Sequence, residues 1–449
     1  MEQTIAAVAT PLGRGGISVI RISGADAILI ADKIFRSRVR LSEVKSHTIN
    51  YGYVFDGEED IDQVLASVMH APKTYTGENT VEINCHGGIA VTKRVLEAVI
   101  KAGARLAEPG EFTKRAFLNG KIDLSRAEAV IDIINADNAL AGKNALSQLK
   151  GKLYEEISGA RSRIIDLSAK MQVAIDYPDE DLEDITPNQI IETLEECRRT
   201  ISTILKNSEN GGIIKDGIKT AIVGKPNVGK SSLLNCLSKS DRAIVTDIAG
   251  TTRDTIEERI SLGGVPINLI DTAGIRETSD AVEKIGVEKS RKSIDEAELL
   301  LVMLDAASGI DDEDLEILEQ TKDKNRIVIL NKIDIKSGEL SGIPADTVEI
   351  SAKTGEGADK LSEIIKEKYN IGEIQSADFN AVTNVRQKSA LERALSAIER
   401  AIDIMQSGEP QDLATLDIYE AADSLGEITG ETVSDDIVTA IFHNFCVGK

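Results

Sequence analysis

One octapeptide constrains this chain more than any other feature. Residues 224 to 231 read GKPNVGKS, a match to GxxxxGK[ST] flanked by the strand-like run IKTAIV and the helix-like run SSLLNCLS. A strand that feeds such a loop and a helix that leaves it imply an α/β sheet with the loop at the strand's carboxyl end. There the loop's backbone N–H groups and the helix N-terminus aim at anionic oxygens. Lys230 is expected to reach the β- and γ-phosphates of a nucleotide, and Ser231 to hold Mg²⁺. Asn227, Val228, Gly229 and Ser232 complete the stretch expected against the phosphates.

Three further motifs follow in order, each at the end of an apolar run. Asp271, Thr272, Ala273 and Gly274 end INLI, Asn331, Lys332, Ile333 and Asp334 end RIVIL, and Ser351, Ala352 and Lys353 end VEI. Their spacings, 41 residues from Lys230 to Asp271, 57 from Gly274 to Asn331 and 17 from Asp334 to Ser351, suit one domain of ordinary size. The second motif selects the base. Asp334 can accept from both N–H donors on the edge of guanine, whereas adenine would leave a buried carboxylate unpaired, a difference on the order of 10⁴-fold. Asn331 and the Ala352 amide would complete the guanine contacts, so the ligand is expected to be GTP. Hydrolysis must also position a water and stabilise charge. Ile275 follows Gly274 where a common arrangement has glutamine, so other groups must act. The candidates are Thr252 as a second magnesium ligand, Arg253 or Arg276 as an internal arginine finger, and the Asn227 carboxamide as a ligand for a monovalent cation.

The remainder reads as separate domains, in keeping with 449 residues at roughly 150 per domain. The first hundred residues alternate β-rich runs with Gly and Pro, which predicts an α+β domain over residues 1–118. From Ser125, paired with Glu128 as a capping box, apolar residues recur at helical spacing to Ile175, and Tyr177-Pro178 ends the helix. A second helix is expected from Thr186-Pro187-Asn188-Gln189, where a cap, a first-turn proline and a Gln three past the cap agree. The helical period breaks at Gly211-Gly212 and returns after Val385. Stripes that cannot be buried alone must pack on each other, so an all-α domain, residues 119–212 and 376–449, is expected to be split by an inserted P-loop α/β domain, residues 213–375. The formal charge of −23 repels polyphosphate as a whole, so any nucleic-acid contact needs a local patch or a second protein. Four dispersed cysteines, no basic leader at the start and no run of 18 apolar residues predict a soluble cytoplasmic protein with no membrane contact. Six acids from Asp176 to Asp184 read as a solvated turn.

Asn227 in the phosphate loop, GTTRD at 250–254, DTAG followed by a hydrophobic residue, GEFTKRAFLNGKIDL at 110–124, GEITGE near the end and the terminal Cys446-Val447-Gly448-Lys449 together resemble the MnmE (TrmE) family of tRNA modification GTPases. The resemblance spans the chain and implies a homodimer that works with an MnmG-type flavoprotein, as a heterotetramer, on the wobble uridine of tRNA. It implies a potassium site from Asn227, Thr246, Ile248 and Thr251, within a nucleotide-contacting loop that also holds Asp247, Ala249, Gly250 and the magnesium ligand Thr252. It implies Glu283 as the residue that orients the attacking water. It further implies that Arg21, Glu82, Lys121 and Lys449 hold 5-formyltetrahydrofolate, with glycine pairs 15–16 and 87–88 allowing backbone to approach the pterin, and that Cys446 serves the modification chemistry. His86 is read as structural. The alternative is an Era- or Der-like switch of ribosome assembly, which would need a basic RNA-binding module; a membrane-remodelling GTPase would need a basic amphipathic face.

Overall fold

Alternating apolar residues in the first hundred positions dictate a sheet with one covered face. The computed structural model describes residues 3–176, 186–209, 211–240, 256–262, 265–270, 294–335, 343–369 and 381–449. These divide into two compact units: residues 1–134, 148–197 and 393–449, and residues 135–147 with 198–392.

In the first unit β1 (Ile5–Val8), β2 (Ile17–Ser23), β3 (Phe35–Arg36), β4 (Thr48–Asp56), β5 (Glu59–Met69), β6 (Thr80–His86) and β7 (Arg105–Leu106) form one sheet of order β3-β4-β5-β6-β2-β1-β7. Ile20, Ile22, Val64, Ala66, Val68, Val81 and Ile83 point to one face, where they pack with buried residues of α1 (Ala27–Asp32) and α2 (Ile89–Ala102). Period-two alternation sends the other set outward: Ile49, Tyr51 and Leu65 are 69%, 61% and 44% exposed. Register runs Arg21 opposite Glu82, Glu82 opposite Ser67 and Ser67 opposite Ile49, so Arg21 and Glu82 share this outer face.

Helices α3 (Glu111–Leu118), α4 (Leu124–Ile134), α5 (Ala139–Leu149), α6 (Lys152–Asp176), α7 (Pro187–Glu209) and α8 (Gly211–Asp216) follow. The single long helix expected from Ser125 is three helices. Its first cap is Asp123, whose Oδ1 accepts from the Arg126 amide at 3.1 Å and from the Ser125 hydroxyl at 2.5 Å, while Ser125 and Glu128 are buried within the helix. Asn138 Oδ1 caps a second start by accepting from the Ala141 amide at 2.8 Å, and Gly151, at φ +95°, makes the second break. At Thr186 the expected reciprocal cap is present: its amide donates to Gln189 Oε1 at 2.9 Å and its hydroxyl accepts from the Gln189 amide at 3.4 Å. Gly211 begins the short α8 instead of ending helical structure.

The second unit is a six-stranded sheet of β8 (Ile218–Val223), β9 (Ile256–Leu262), β10 (Val265–Ile270), β11 (Leu299–Asp305), β12 (Arg326–Asn331) and β13 (Val348–Glu349), ordered β13-β12-β11-β8-β10-β9, with β9 antiparallel to an otherwise parallel set. Every residue of β11 is buried, as expected of a parallel strand covered on both faces. One face packs with α9 (Lys230–Ser240) and α11 (Ala358–Lys368), the other with Leu318 of α10 (Asp312–Gln320).

The last helices are α12 (Val385–Gln406), α13 (Asp412–Thr429) and α14 (Asp435–His443). In the first unit α13 packs along α6, where Arg161 Nε donates to the Ala422 carbonyl at 3.1 Å, so the two helical stretches do bury each other. Phe442 and Phe445 close a cluster with Leu124, Ala127 and Val130.

Candidate functional site

The phosphate loop leaves β8 at Gly224 and ends where Lys230 opens α9. Gly224 has φ +151°, and Gly229 has φ +100°, where an added Cβ would run into the Asn331 side chain. Lys230 curls back, its ammonium donating to the Gly224 carbonyl at 2.6 Å. Burial holds that ammonium below the ordinary lysine range, with Glu313 opposing, so the loop contains a desolvated cation that an anion would stabilise. Ser231 and Ser232 are exposed on the first turn of α9, and Val228 is buried beneath the loop.

Asn331 joins the loop to the base-reading segments. Buried at 2% exposure, it donates from Nδ2 to the Val228 carbonyl at 2.8 Å and accepts at Oδ1 from the Ala352 amide at 2.9 Å. Asp334 lies beside it, with Oδ1 accepting from the Ser351 hydroxyl at 2.8 Å, and Lys353 is exposed next to Ala352. Lys332 and Asn227 both adopt left-handed backbone, φ +64° and +62°, a conformation uncommon outside glycine. The Lys332 ammonium donates to the Asn227 carbonyl at 2.8 Å and to Asp305 Oδ2 at 2.6 Å. Asn227 itself is exposed on the outer side of the loop. Its carboxamide oxygen is a hard donor of the kind that an alkali cation takes.

Asp305 was not anticipated from sequence; its one signal was a carboxylate ending an otherwise apolar strand, LLLVMLD. Also unanticipated was Lys225 within the loop, whose ammonium pairs with Asp311 at 2.5 Å and Asp314 at 2.7 Å, tying the loop to the capping box of α10. Residues 246–252, 271–274, Glu283, Arg253 and Arg276 lie outside the described residues, as do 177–185 of the acidic run.

A second polar group gathers on the outer face of the N-terminal sheet. Arg21 Nε donates to Glu82 Oε1 at 2.8 Å and its Nη1 to the Gly448 carbonyl at 3.0 Å. Its guanidinium lies 6.0 Å from the Tyr75 ring centroid and 5.6 Å from that of Phe112, within cation–π range of both. Burial, with Arg21 adding to it, pushes the Lys449 ammonium down, and Glu82 draws it back up. Arg21, Glu82 and Lys449 are thus brought together, a pattern of charged donors and an acceptor that fits a heterocycle with an amide edge and a carboxylate. The Lys121 ammonium donates to the Pro72 carbonyl at 3.0 Å. The thiol of Cys446 is exposed, and its carbonyl accepts from the Gly110 amide at 3.4 Å. The glycine pairs meet each other: the Gly15 amide donates to the Gly87 carbonyl at 3.0 Å, so the close approach they permit is of loop to loop. His86 is exposed, with Nδ1 bonded to Asp62 at 2.7 Å. Tyr75 and Phe112 carried no sequence signal, because their partner lies far away in the chain.

A family model described as MnmE helical domain matches residues 124–446, and another, GTP-binding protein TrmE N-terminus, matches residues 4–121. The tRNA modification GTPase MnmE of Acetivibrio thermocellus is 50% identical over 456 residues, covering 100% of this chain and 99% of that protein. Those of Lactococcus lactis subsp. cremoris MG1363 and Lachnoclostridium phytofermentans are 48% and 49% identical, each across 99% of this chain and 98% and 99% of those proteins. Identity at this level from end to end, together with both family models, means that the chain belongs to the MnmE family.

Proposed function

We propose that this chain is a GTP-hydrolysing tRNA modification enzyme which, with an MnmG-type flavoprotein, adds an aminomethyl or carboxymethylaminomethyl group at carbon 5 of the wobble uridine, taking the one-carbon unit from 5-formyltetrahydrofolate. The observation that carries the nucleotide half is Asn331, which ties the phosphate loop to the Ala352 amide beside Asp334, so that phosphate and guanine recognition are one rigid piece. Asp334 would trade its Ser351 partner for the guanine edge. Lys230 would exchange the Gly224 carbonyl for β- and γ-phosphate oxygens. Ser231 and Thr252 would hold Mg²⁺, and Asn227 with Thr246, Ile248 and Thr251 would hold K⁺; when bound, these ions supply positive charge against the transferring phosphoryl group. Glu283 would orient the water.

Arg21, Glu82, Lys121 and Lys449 would seat the folate, which when bound supplies a one-carbon unit at the formyl oxidation level, to be brought to the methylene level of the product by two electrons from the partner's reduced flavin, and the exposed Cys446 thiol would act nearby. The uncovered apolar face that includes Ile49, Tyr51 and Leu65 supports a homodimer through the N-terminal sheet, continuous with the Arg21 site. No helix among the described residues is long and apolar enough to cross a membrane, which suits a cytoplasmic enzyme. The test is transfer of label from a formyl-labelled folate into tRNA, in the presence of the flavoprotein and GTP. Label at the wobble uridine is expected; GTP turnover without any transfer would leave an assembly switch of the Era or Der kind.

A further inference from the structure

Residues 33–45, KIFRSRVRLSEVK, place five cations and one acid in a chain whose formal charge is −23. Two of the cations are already engaged. Lys33 donates to the Ala102 carbonyl at 2.9 Å, and Arg36 pairs with Asp60 while lying 5.4 Å from the Phe55 ring centroid. Arg38, Arg40 and Lys45 are exposed and have no carboxylate partner among the described residues.

The segment that carries them is built, not slack. Leu41 is wholly buried, and the Asp32 carboxylate accepts from the Leu41 and Ser42 amides at 2.5 and 3.0 Å. The Ser37 hydroxyl donates to the Val39 carbonyl at 2.6 Å. With Leu41 anchored inside, Arg38 and Arg40 are held in solvent on either side of Val39. The same segment is pinned to the next loop: the His47 amide donates to the Val68 carbonyl at 2.7 Å, and the His70 amide to the Ser46 hydroxyl at 2.9 Å. Beyond His70 come exposed Lys73, then the Pro72 carbonyl that receives Lys121, then Tyr75 beside Arg21. Exposed cations on two hydrogen-bonded loops thus connect the segment after β3, through the turn at His70, to Tyr75 beside Arg21. β3 stands four strands from β2, about 19 Å at ~4.8 Å per strand.

We propose that this rim, Arg38, Arg40, Lys45 and Lys73, receives the sugar–phosphate backbone of the tRNA and leads its target base toward the Arg21 and Cys446 site; the inference rests on the function proposed above. Guanidinium forks match phosphate oxygens, and a positive strip on a strongly acidic chain is the local patch that polyanion binding requires. A membrane surface would want apolar side chains to insert, and Val39 alone is offered between the arginines. An acidic peptide would not account for cations on loops that connect to a site for base chemistry.

The test compares the full chain with the triple variant Arg38→Glu, Arg40→Glu and Lys45→Glu, binding an unmodified tRNA transcript with uridine at the wobble position across a salt series. Affinity is expected to fall at least about tenfold at ~100 mM salt, with the log–log salt slope shallower by about 2 to 3, and Arg38→Lys with Arg40→Lys should retain binding. Should the triple variant melt well below the parent, Arg38→Gln with Arg40→Gln carries the same expectation with a smaller change. Unchanged affinity and slope overturn the rim, as does loss of binding to phosphatidylglycerol vesicles while tRNA binding stays intact. A parent chain that transfers label into tRNA while the variant binds normally overturns the rim alone. A parent that neither binds nor labels tRNA overturns both readings.

Discussion

The ammonium of Lys332 lies between the carbonyl of Asn227, 2.8 Å away, and the carboxylate of Asp305, 2.6 Å away. A residue of the guanine-reading motif is thereby braced from behind and pressed against the phosphate loop. Asp305 Oδ1 also accepts from the Ala307 amide at 2.9 Å. Burial alone would raise its pKa, but Lys332 and the backbone donors outweigh burial and hold the carboxyl below the ordinary range.

Asp305→Asn keeps the shape and removes the charge. Guanine-nucleotide affinity is expected to weaken about tenfold, on the order of 1–2 kcal/mol, seen as faster release of a fluorescent GDP analogue, with Asp305→Glu restoring part of it. Because the folded pKa is lowered, the brace is intact above the ordinary carboxylate pKa of about 4 and is lost only as pH falls through the lower folded value. Release rates should therefore be flat across neutral pH. A wild-type release rate in the variant would show that Lys332 needs no brace.

Asp334 offers two acceptors and, in the free site, uses one of them on Ser351. Asp334→Asn turns half of that acceptor pair into a donor. Guanine, with N–H groups at positions 1 and 2, should lose affinity by at least about 10²-fold, whereas xanthine, with a carbonyl at position 2, should gain. Competition between GTP and XTP reads the inversion, and an unchanged preference for GTP would place the base elsewhere.

The Asn227 side chain is exposed on the phosphate loop, and its carboxamide oxygen is the hard donor that an alkali ion would take. GTP turnover is expected to rise steeply when potassium replaces sodium, and Asn227→Ala should remove the difference, as followed by phosphate release. Equal rates in both salts for the parent chain would refute the cation's role.

Lys449 is driven down by burial and by Arg21, and held up by Glu82. Glu82→Gln removes the opposing charge, so the Lys449 ammonium should lose its proton at still lower pH than in the parent. A lysine whose folded pKa is depressed costs the folded state in full below that pKa, and the cost falls away as pH rises from there to the ordinary lysine value of about 10.4. Carbon-13 NMR of reductively methylated lysines follows this titration, and an unshifted Lys449 signal would mean that Glu82 acts on Arg21 alone.

What the sequence made legible follows from where the information sits. The phosphate loop, the Asn331 and Ser351 motifs and the Thr186 cap are contiguous patterns whose physics is local, and the structure brings the described ones into contact. The breaks at Asn138 and Gly151 were hidden because a hydrophobic stripe continues in phase across a short interruption, and Ser125 outshone Asp123 because both are cap formers two residues apart. Asp305, Tyr75 and Phe112 acquire meaning only from neighbours that the fold delivers, so no window along the chain could have singled them out.

Arg115 is the most deeply committed charge in the N-terminal unit. At 2% exposure it donates from Nη1 to Glu78 at 3.0 and 3.2 Å, from Nη2 to Glu111 at 3.0 Å and also to the Gln3 carbonyl at 2.9 Å. Burial would raise the Glu111 pKa, but Arg105, the Glu108 amide and Arg115 together pull it below the ordinary value. Arg115→Ala leaves two partly buried carboxylates without this partner and should cost ~3–5 kcal/mol in urea unfolding, while Arg115→Lys recovers only part because one ammonium cannot span both acids. The lowered Glu111 pKa fixes the sign with pH. Its contribution is present above about pH 4 and fades as pH falls through the folded value, so parent and variant should differ most at neutral pH and converge in acid. A gap that stayed constant down to acid would assign the loss to packing of the guanidinium rather than to its charge.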